Sequence, residues 1–180
     1  YQLVTAVDLY GAFKTGERVD ARPIGAGDCV RRAIARVQMD GIKSAMAEDL
    51  APIQVAVGVE GGPGKMVYMV REYLNLHPDH ACIKIDVRNC HNSFGRHAAL
   101  LALADASPGC RSLLQAFYAE YRHASAVHHA GRDYNGLRSQ SGAQQGDPRA
   151  TAIAAYVMRQ DLEWLQDQLK ANGGTGFVVA

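Results

Sequence analysis

Two short stretches hold the residues whose types and spacing could do chemistry. The first is ACIKIDVRNCHNSF, residues 81–94. It alternates and then runs apolar, which predicts a strand over Ala81–Val87 with Asp86 at its end and a polar bend after it. A strand end holds a carboxylate rigidly at the mouth of a sheet, where it suits a hard divalent ion such as magnesium. The same carboxylate can equally cap the next helix. The second stretch is SQSGAQQGDPRA, residues 139–150. Gly142 and Gly146 bracket two glutamines just before a helix start at Asp147-Pro148. Glycines let another backbone come close, and a helix start presents donors that can face phosphate. A glycine-rich turn followed by a cap is the plainer reading.

These residues need elements to position them. Residues 2–13 are rich in β-branched and aromatic types, Thr15-Gly16-Glu17 offers a turn, and an extended piece reaches Arg22-Pro23-Ile24. A hairpin is predicted. Asp28 can cap a helix with Ala33, Ile34 and Val37 at helical spacing, interrupted at Gly41 and closed by Pro52. Ile53–Val59 reads as a short strand or extended loop. Gly61-Gly62-Pro63-Gly64 is a turn into a helix that carries Met66, Val67, Met69, Val70, Tyr73 and Leu74 and ends near Pro78. Helices are expected over 96–106 and 109–122, parted by Pro108-Gly109. Ala124–Ala130 and Leu137–Gln140 read as paired strands with a turn at Asp133–Gly136. A long helix should run from Asp147-Pro148 to about Lys170 and stop at Gly173-Gly174. Phe177–Ala180 begins a strand. The expected class is α+β, mostly helical, with a composition shift near residue 80 and no clear linker.

Composition sets the outer bounds. The chain has 180 residues, 48% hydrophobic and 21% charged, which is enough to bury a core and excludes disorder as the main state. The net charge of +1 neither argues for nor excludes nucleic acid. Residues 84–149 hold eight basic against five acidic side chains, a sign that suits a phosphate-lined partner and also suits solvated helix faces. No apolar run approaches the roughly 18 residues of a membrane span, so no membrane is expected. The chain opens on Tyr1 without a charged-then-apolar leader, so an excised or processed chain without a signal peptide is expected. Cys29, Cys82, Cys90 and Cys110 lack Cys-x-x-Cys spacing and read as free thiols of a reducing, intracellular compartment.

Taken together and in this order, the two stretches are more specific than either alone. Strand-Asp-Val-x-Asn-x-x-Asn, then about 55 residues, then Gly-x-Gln-Gln-Gly-Asp-Pro at a helix start resembles the reverse transcriptases of non-LTR retrotransposons and related mobile introns. Lys14 followed by Arg22-Pro23-Ile24 resembles that family's fingers motif. Val55–Val59 with Gly61-Gly62 resembles its Gly-Val-x-Gly-Gly connection. The likeness covers roughly residues 14–180.

The resemblance implies a fingers subdomain over 1–80 and a partial palm over 81–180, with helices packed on a small antiparallel sheet. It implies an RNA template, a DNA primer and deoxynucleoside triphosphates as partners, and nucleotidyl transfer with two Mg2+ ions. Asp86 matches a metal-binding aspartate, and the Val87 carbonyl would be a second oxygen ligand. Arg22 matches the arginine that grips the triphosphate. Gln145 and Gly146 match the motif lying against the incoming nucleotide. His91 stands where the family places an aromatic gate against a ribose 2′-hydroxyl. The Ala81–Val87 strand is expected to pair with Phe177–Ala180, and Arg22, Gln145 and Asp86 to face one cleft.

Two departures stand out. Cys90-His91 replaces Ala followed by Phe or Tyr, which weakens sugar discrimination. No Asp-Asp pair occurs, so half the metal set is missing and the chain alone is expected to be inactive. The alternative is a degenerate, non-catalytic domain of the same kind that binds nucleic acid. Among lesser features, His128-His129 reads as a solvated pair, Cys82 and Cys90 as buried small hydrophobes, and Tyr118 and Tyr121 as packing residues. Lys65 lacks the hydroxyl residue that a phosphate loop needs.

Overall fold

The computed structural model describes residues 7–13, 21–129 and 132–180, with backbone only at 7–13, 21–24, 129 and 132–135. Lys14 and the turn at 15–17 lie outside the described residues.

The predicted hairpin forms. Strand β1 (Val7–Phe13) pairs antiparallel with β2 (Ala21–Ala26), in a register that sets Ala12 opposite Arg22 and Asp8 opposite Ala26. The second predicted pair forms too, as β3 (Ser125–His129) and β4 (Arg132–Ser139). Asp133–Gly136 is inside β4, not a turn. The two hairpins join through a short parallel pairing of β1 with β3, Val7 opposite Val127 and Asp8 opposite His128. The sheet order is β2-β1-β3-β4, so the sheet is mixed and not wholly antiparallel.

Helix α1 (Cys29–Leu50) starts as expected, with the Asp28 carboxylate accepting the Val30 N–H at 2.8 Å. It then departs from the sequence reading twice. It runs through Gly41 without a break, because Ile42, Met46 and Leu50 beyond it are buried. Their packing outweighs the roughly 1 kcal/mol that a helical glycine costs. Its buried face also carries Arg31 and Ala35, while Ile34 and Val37 are 63% and 73% exposed. The apolar spacing of Ala33, Ile34 and Val37 marked the helix correctly and its inward face wrongly.

Residues 53–61 form a loop made mostly of bends and turns, not a strand. Helix α2 (Gly62–Leu76) follows, with Pro63 in its first turn, and buries only Gly62. A four-residue helix α3 (Cys90–Ser93) leads into α4 (Arg96–Ala104). A 3-10 turn over Pro108–Cys110 precedes α5 (Arg111–Tyr121). Helix α6 (Ala150–Ala171) is stopped by Gly173 and Gly174, the latter donating to the Leu169 carbonyl at 2.8 Å.

One hydrophobic cluster ties α1, α4, α5 and α6 together. It takes Ile42, Met46 and Leu50 from α1, Val57 from the loop, Leu103 from α4, Leu113, Phe117 and Tyr121 from α5, and Ile153 and Tyr156 from α6. The cluster thus draws on both sides of residue 80. The class is α+β.

The Ala81–Val87 strand does not form. Residues 81–89 are irregular and exposed, with Ile83 at 85% and Ile85 at 72%. Phe177–Ala180 is not a strand paired with it either. The Ala180 backbone instead pairs with the 53–55 loop, donating to Ile53 and accepting from Val55, each at 2.9 Å. An alternating segment becomes a strand only where another strand accepts its backbone bonds, and among the described residues none lies beside it.

Candidate functional site

The Gly142–Asp147 loop is where the sequence-selected residues come together. It meets the end of β2 on one side: the Gly146 N–H donates to the Gly25 carbonyl at 3.1 Å. A Cβ on Gly146 would stand 2.6 Å from that oxygen, so only glycine fits this junction. It meets the α3 turn on the other. Ala143 N–H donates to the His91 carbonyl at 2.7 Å, and Gly142 N–H to the Phe94 carbonyl at 2.8 Å. Gly142 has φ 58°, a left-handed conformation, and a side chain there would run into the His91 and Asn92 backbone.

His91, Gln145 and Gly146 therefore belong to one neighbourhood along the backbone, with Arg22 about 10 Å from Gly25 along β2. Arg22 is three residues before Gly25 on β2; its side chain is not described. Gln145 is half-buried. The His91 ring pairs through Nε2 with Thr151 Oγ1 of α6 at 3.2 Å, and burial lowers its pKa from 6.5.

Among the described contacts, no hydrogen bond or ion pair joins Asp86 to this loop. With Val87 it lies in the irregular exposed segment, so no strand end holds either of them. Its charge reaches Cys90, the residue before His91, and the Cys90 thiol pKa is raised first by burial and then by that charge. Cys90 is half-buried and Cys82 exposed, against the expectation that both would be buried. Among the described residues no group of three His, Cys, Asp or Glu side chains could hold a metal ion. One exposed carboxylate and a neighbouring carbonyl do not fit two magnesium ions.

Beneath the loop is a buried charged network that the sequence reading missed. Asp147 is 7% exposed and Arg149 2%. Asp147 accepts the Tyr121 hydroxyl at 2.7 Å, the Arg149 Nε at 2.9 Å and Nη2 at 3.0 Å, and the Arg31 Nη2 at 3.3 Å. It also caps the approach to α6 by accepting the Arg149 N–H at 2.9 Å. Glu120 bridges both arginines, bonding Arg31 Nε and, at 2.6 Å, Arg149 Nη2. Burial pushes the Asp147 carboxyl up, but the bonds and charge of Arg149, with the Tyr121 hydroxyl, outweigh it and hold the pKa below 3.8. Burial and the Asp147 charge push the Tyr121 phenol up, so it stays a neutral donor. Asp147 is thus ionised, and both it and Glu120 are committed to arginines, which suits a rigid support and not proton transfer.

Arg96 closes the other flank. It donates to the carbonyls of Gly142, Tyr121 and His123, each at 3.1 Å, and to Ser139 Oγ at 2.9 Å. Arg96 and Arg31 both lie over the Tyr121 ring, at 5.2 and 5.3 Å. The missed signal was phase: Arg31 shares a helical face with Ala35, Ile42 and Met46, where a charge implies a buried partner.

No protein-family model matches the chain, and no curated protein matches it.

Proposed function

We propose that this chain is the fingers (1–80) and part of the palm (81–180) of an RNA-directed DNA polymerase, binding a template–primer duplex and an incoming deoxynucleoside triphosphate. The observation that carries the reading is the junction at Gly142–Gly146. Its resemblance to the family's nucleotide-site motif comes from sequence alone, and the same loop touches the strand bearing Arg-Pro-Ile and the turn bearing His91. Three segments singled out separately by likeness converge on one place.

In this reading Arg22 grips the triphosphate, Gln145 and Gly146 lie against the base pair, and His91 borders the sugar. Asp86 and Val87 are the remnant of a metal set that these residues do not complete. The chain by itself is a binding unit and extends no primer. Fluorescence anisotropy with an RNA template annealed to a DNA primer tests this. Binding that tightens when the templated triphosphate is added, and not with a mismatched one, is the expected result. Duplex binding indifferent to every triphosphate favours the second reading, a degenerate nucleic-acid-binding domain. That reading draws on the exposed, irregular setting of Asp86 and the tie of the His91 ring to Thr151. No duplex binding at all removes both.

A further inference from the structure

We propose that the outward face of α5 binds a single-stranded nucleic acid without sequence preference, with Tyr118 stacking on a base and Arg111 meeting phosphate. The inference goes beyond the polymerase reading, which assigns nothing to this face, and does not depend on it.

Helix α5 divides by its own period. Leu113, Phe117 and Tyr121, at i, i+4 and i+8, are buried. Arg111, Gln115, Tyr118 and Arg122, at i, i+4, i+7 and i+11, are all exposed. Of the two tyrosines expected to pack, Tyr121 does, and Tyr118 is 51% exposed. Burial therefore does not account for Tyr118.

Its ring is nonetheless held. The Arg122 guanidinium lies 5.3 Å from the ring centroid, so a cation backs the ring and restricts its turning. An aromatic surface fixed in advance takes a second flat ring at less entropic cost. Every base has such a face, which makes stacking on tyrosine tolerant of sequence. Bases of a duplex already stack on one another, so the exposed ring selects a single strand.

The charge selects a polyanion. The one carboxylate of α5, Glu120, is turned to Arg31 and Arg149. The outward stripe thus carries two arginines, an amide and a phenol, and no acid. Arg111 is the first residue of α5, whose first turn holds no acidic residue. The helix dipole disfavours a cation at that end, and a bound phosphate offsets the conflict. Arg111 and Tyr118 are about two turns apart, roughly 10 Å, which a strand of a few nucleotides spans. Gln115 between them offers an amide donor. An acidic protein surface would meet the arginines but supply no flat ring for Tyr118, so the strand is the better match.

The test is fluorescence anisotropy of the full chain with a labelled single-stranded RNA of about 12 nucleotides, within the range of such sites. Polyglutamate, inorganic polyphosphate and unlabelled RNA are compared as competitors at equal charge. Tyr118→Leu should weaken binding about tenfold, and Tyr118→Phe, which keeps the ring, should stay within about twofold. Arg111→Gln should weaken it about 3- to 10-fold and lower the salt slope by about one. Arg71→Gln, which removes an exposed charge from α2, should change affinity less than about twofold. Unlabelled RNA should compete best. Tyr118→Leu binding as wild type, Tyr118→Phe as weak as Tyr118→Leu, or equal losses from Arg111→Gln and Arg71→Gln overturns the face. Polyglutamate competing as well as RNA overturns it in favour of an acidic protein partner. Polyphosphate competing as well as RNA overturns the stacking role. Absence of single-strand binding overturns the face and leaves duplex and triphosphate binding to its own experiment.

Discussion

Tyr121 and Asp147, 26 residues apart in sequence, share a 2.7 Å hydrogen bond in the interior. The same hydroxyl accepts the Gln144 N–H at 3.2 Å. One phenol oxygen thus links the end of α5 to both sides of the Gln145-Gly146 turn. Tyr121→Phe keeps the ring packing and leaves Gln144 N–H without an acceptor and Asp147 short of a donor. A loss of about 1–3 kcal/mol is expected in urea unfolding. A change below about 0.5 kcal/mol would mean that the turn relaxes without cost.

The two arginines of α6 should differ sharply. Arg149 is buried between Asp147 and Glu120, whereas the Arg159 side chain is 34% exposed beside Asp49 and Glu163. Removing one member of a buried ion network strands its partners, so Arg149→Met should cost about 3–5 kcal/mol. Arg159→Met should cost about 1 kcal/mol or less, because water screens that pair. Equal costs would contradict the burial described for Arg149.

Acid should unfold the protein through its committed carboxylates. Burial pushes Asp49 up, but its bonds from Ser107 N–H, Tyr156 and Arg159 outweigh this and hold it below 3.8, as Arg149 and Tyr121 do for Asp147. A carboxyl whose folded pKa is depressed binds protons more weakly when folded. Its stabilisation is therefore complete above the unfolded value and fades as pH falls through 3.8 toward the folded one. Urea midpoints measured from about pH 5 down to pH 3 should fall steadily, and Asp49→Asn should make that fall shallower. A midpoint that rises with acid would mean that these carboxyls bind protons more tightly in the folded state.

Gly146→Ala places a methyl group against the Gly25 carbonyl, in a space that the backbone bond between them already fills. The loop or the end of β2 must move. Destabilisation of about 1–3 kcal/mol is expected, with amide shifts confined to the 25–28 and 142–147 segments. Shifts spread evenly over the chain would argue against a local junction.

The thiols should react in a fixed order. Cys29 and Cys82 are exposed and should react with an aromatic disulfide at once. Cys90 should lag, its pKa raised by burial and by Asp86. Cys110 is fully buried and should wait for denaturant. Early reaction of Cys110 would place α5 and the 3-10 turn elsewhere.

Where local chemistry decides, the residues spoke clearly. Asp28 as a cap, Pro52 as a stop, the β1–β2 hairpin and the close of α6 at Gly173-Gly174 all follow from short-range rules. What failed depends on a partner distant in sequence. Ala81–Val87 has the alternation of a strand, but its neighbour is not in its own pattern. Ile34 looks like core and Arg31 like surface until Glu120 and Asp147, about 90 and 116 positions on, are placed beside Arg31. The candidate site divides the same way: the glycines of its loop were legible from backbone need, and the ion network holding that loop was not.

Ile83, Ile85 and Val87 face solvent on a backbone with no described hydrogen-bond partners over 81–88. Such a segment can template the growth of an intermolecular sheet. Lys84, Asp86 and Arg88, set between the apolar residues, act as gatekeepers against it, in a chain whose net charge of +1 gives little repulsion between molecules. Salt that screens those three charges should therefore drive concentration-dependent aggregation, slowed by Ile85→Lys and hastened by Lys84→Val. Light scattering indifferent to both substitutions would show the segment to be inert.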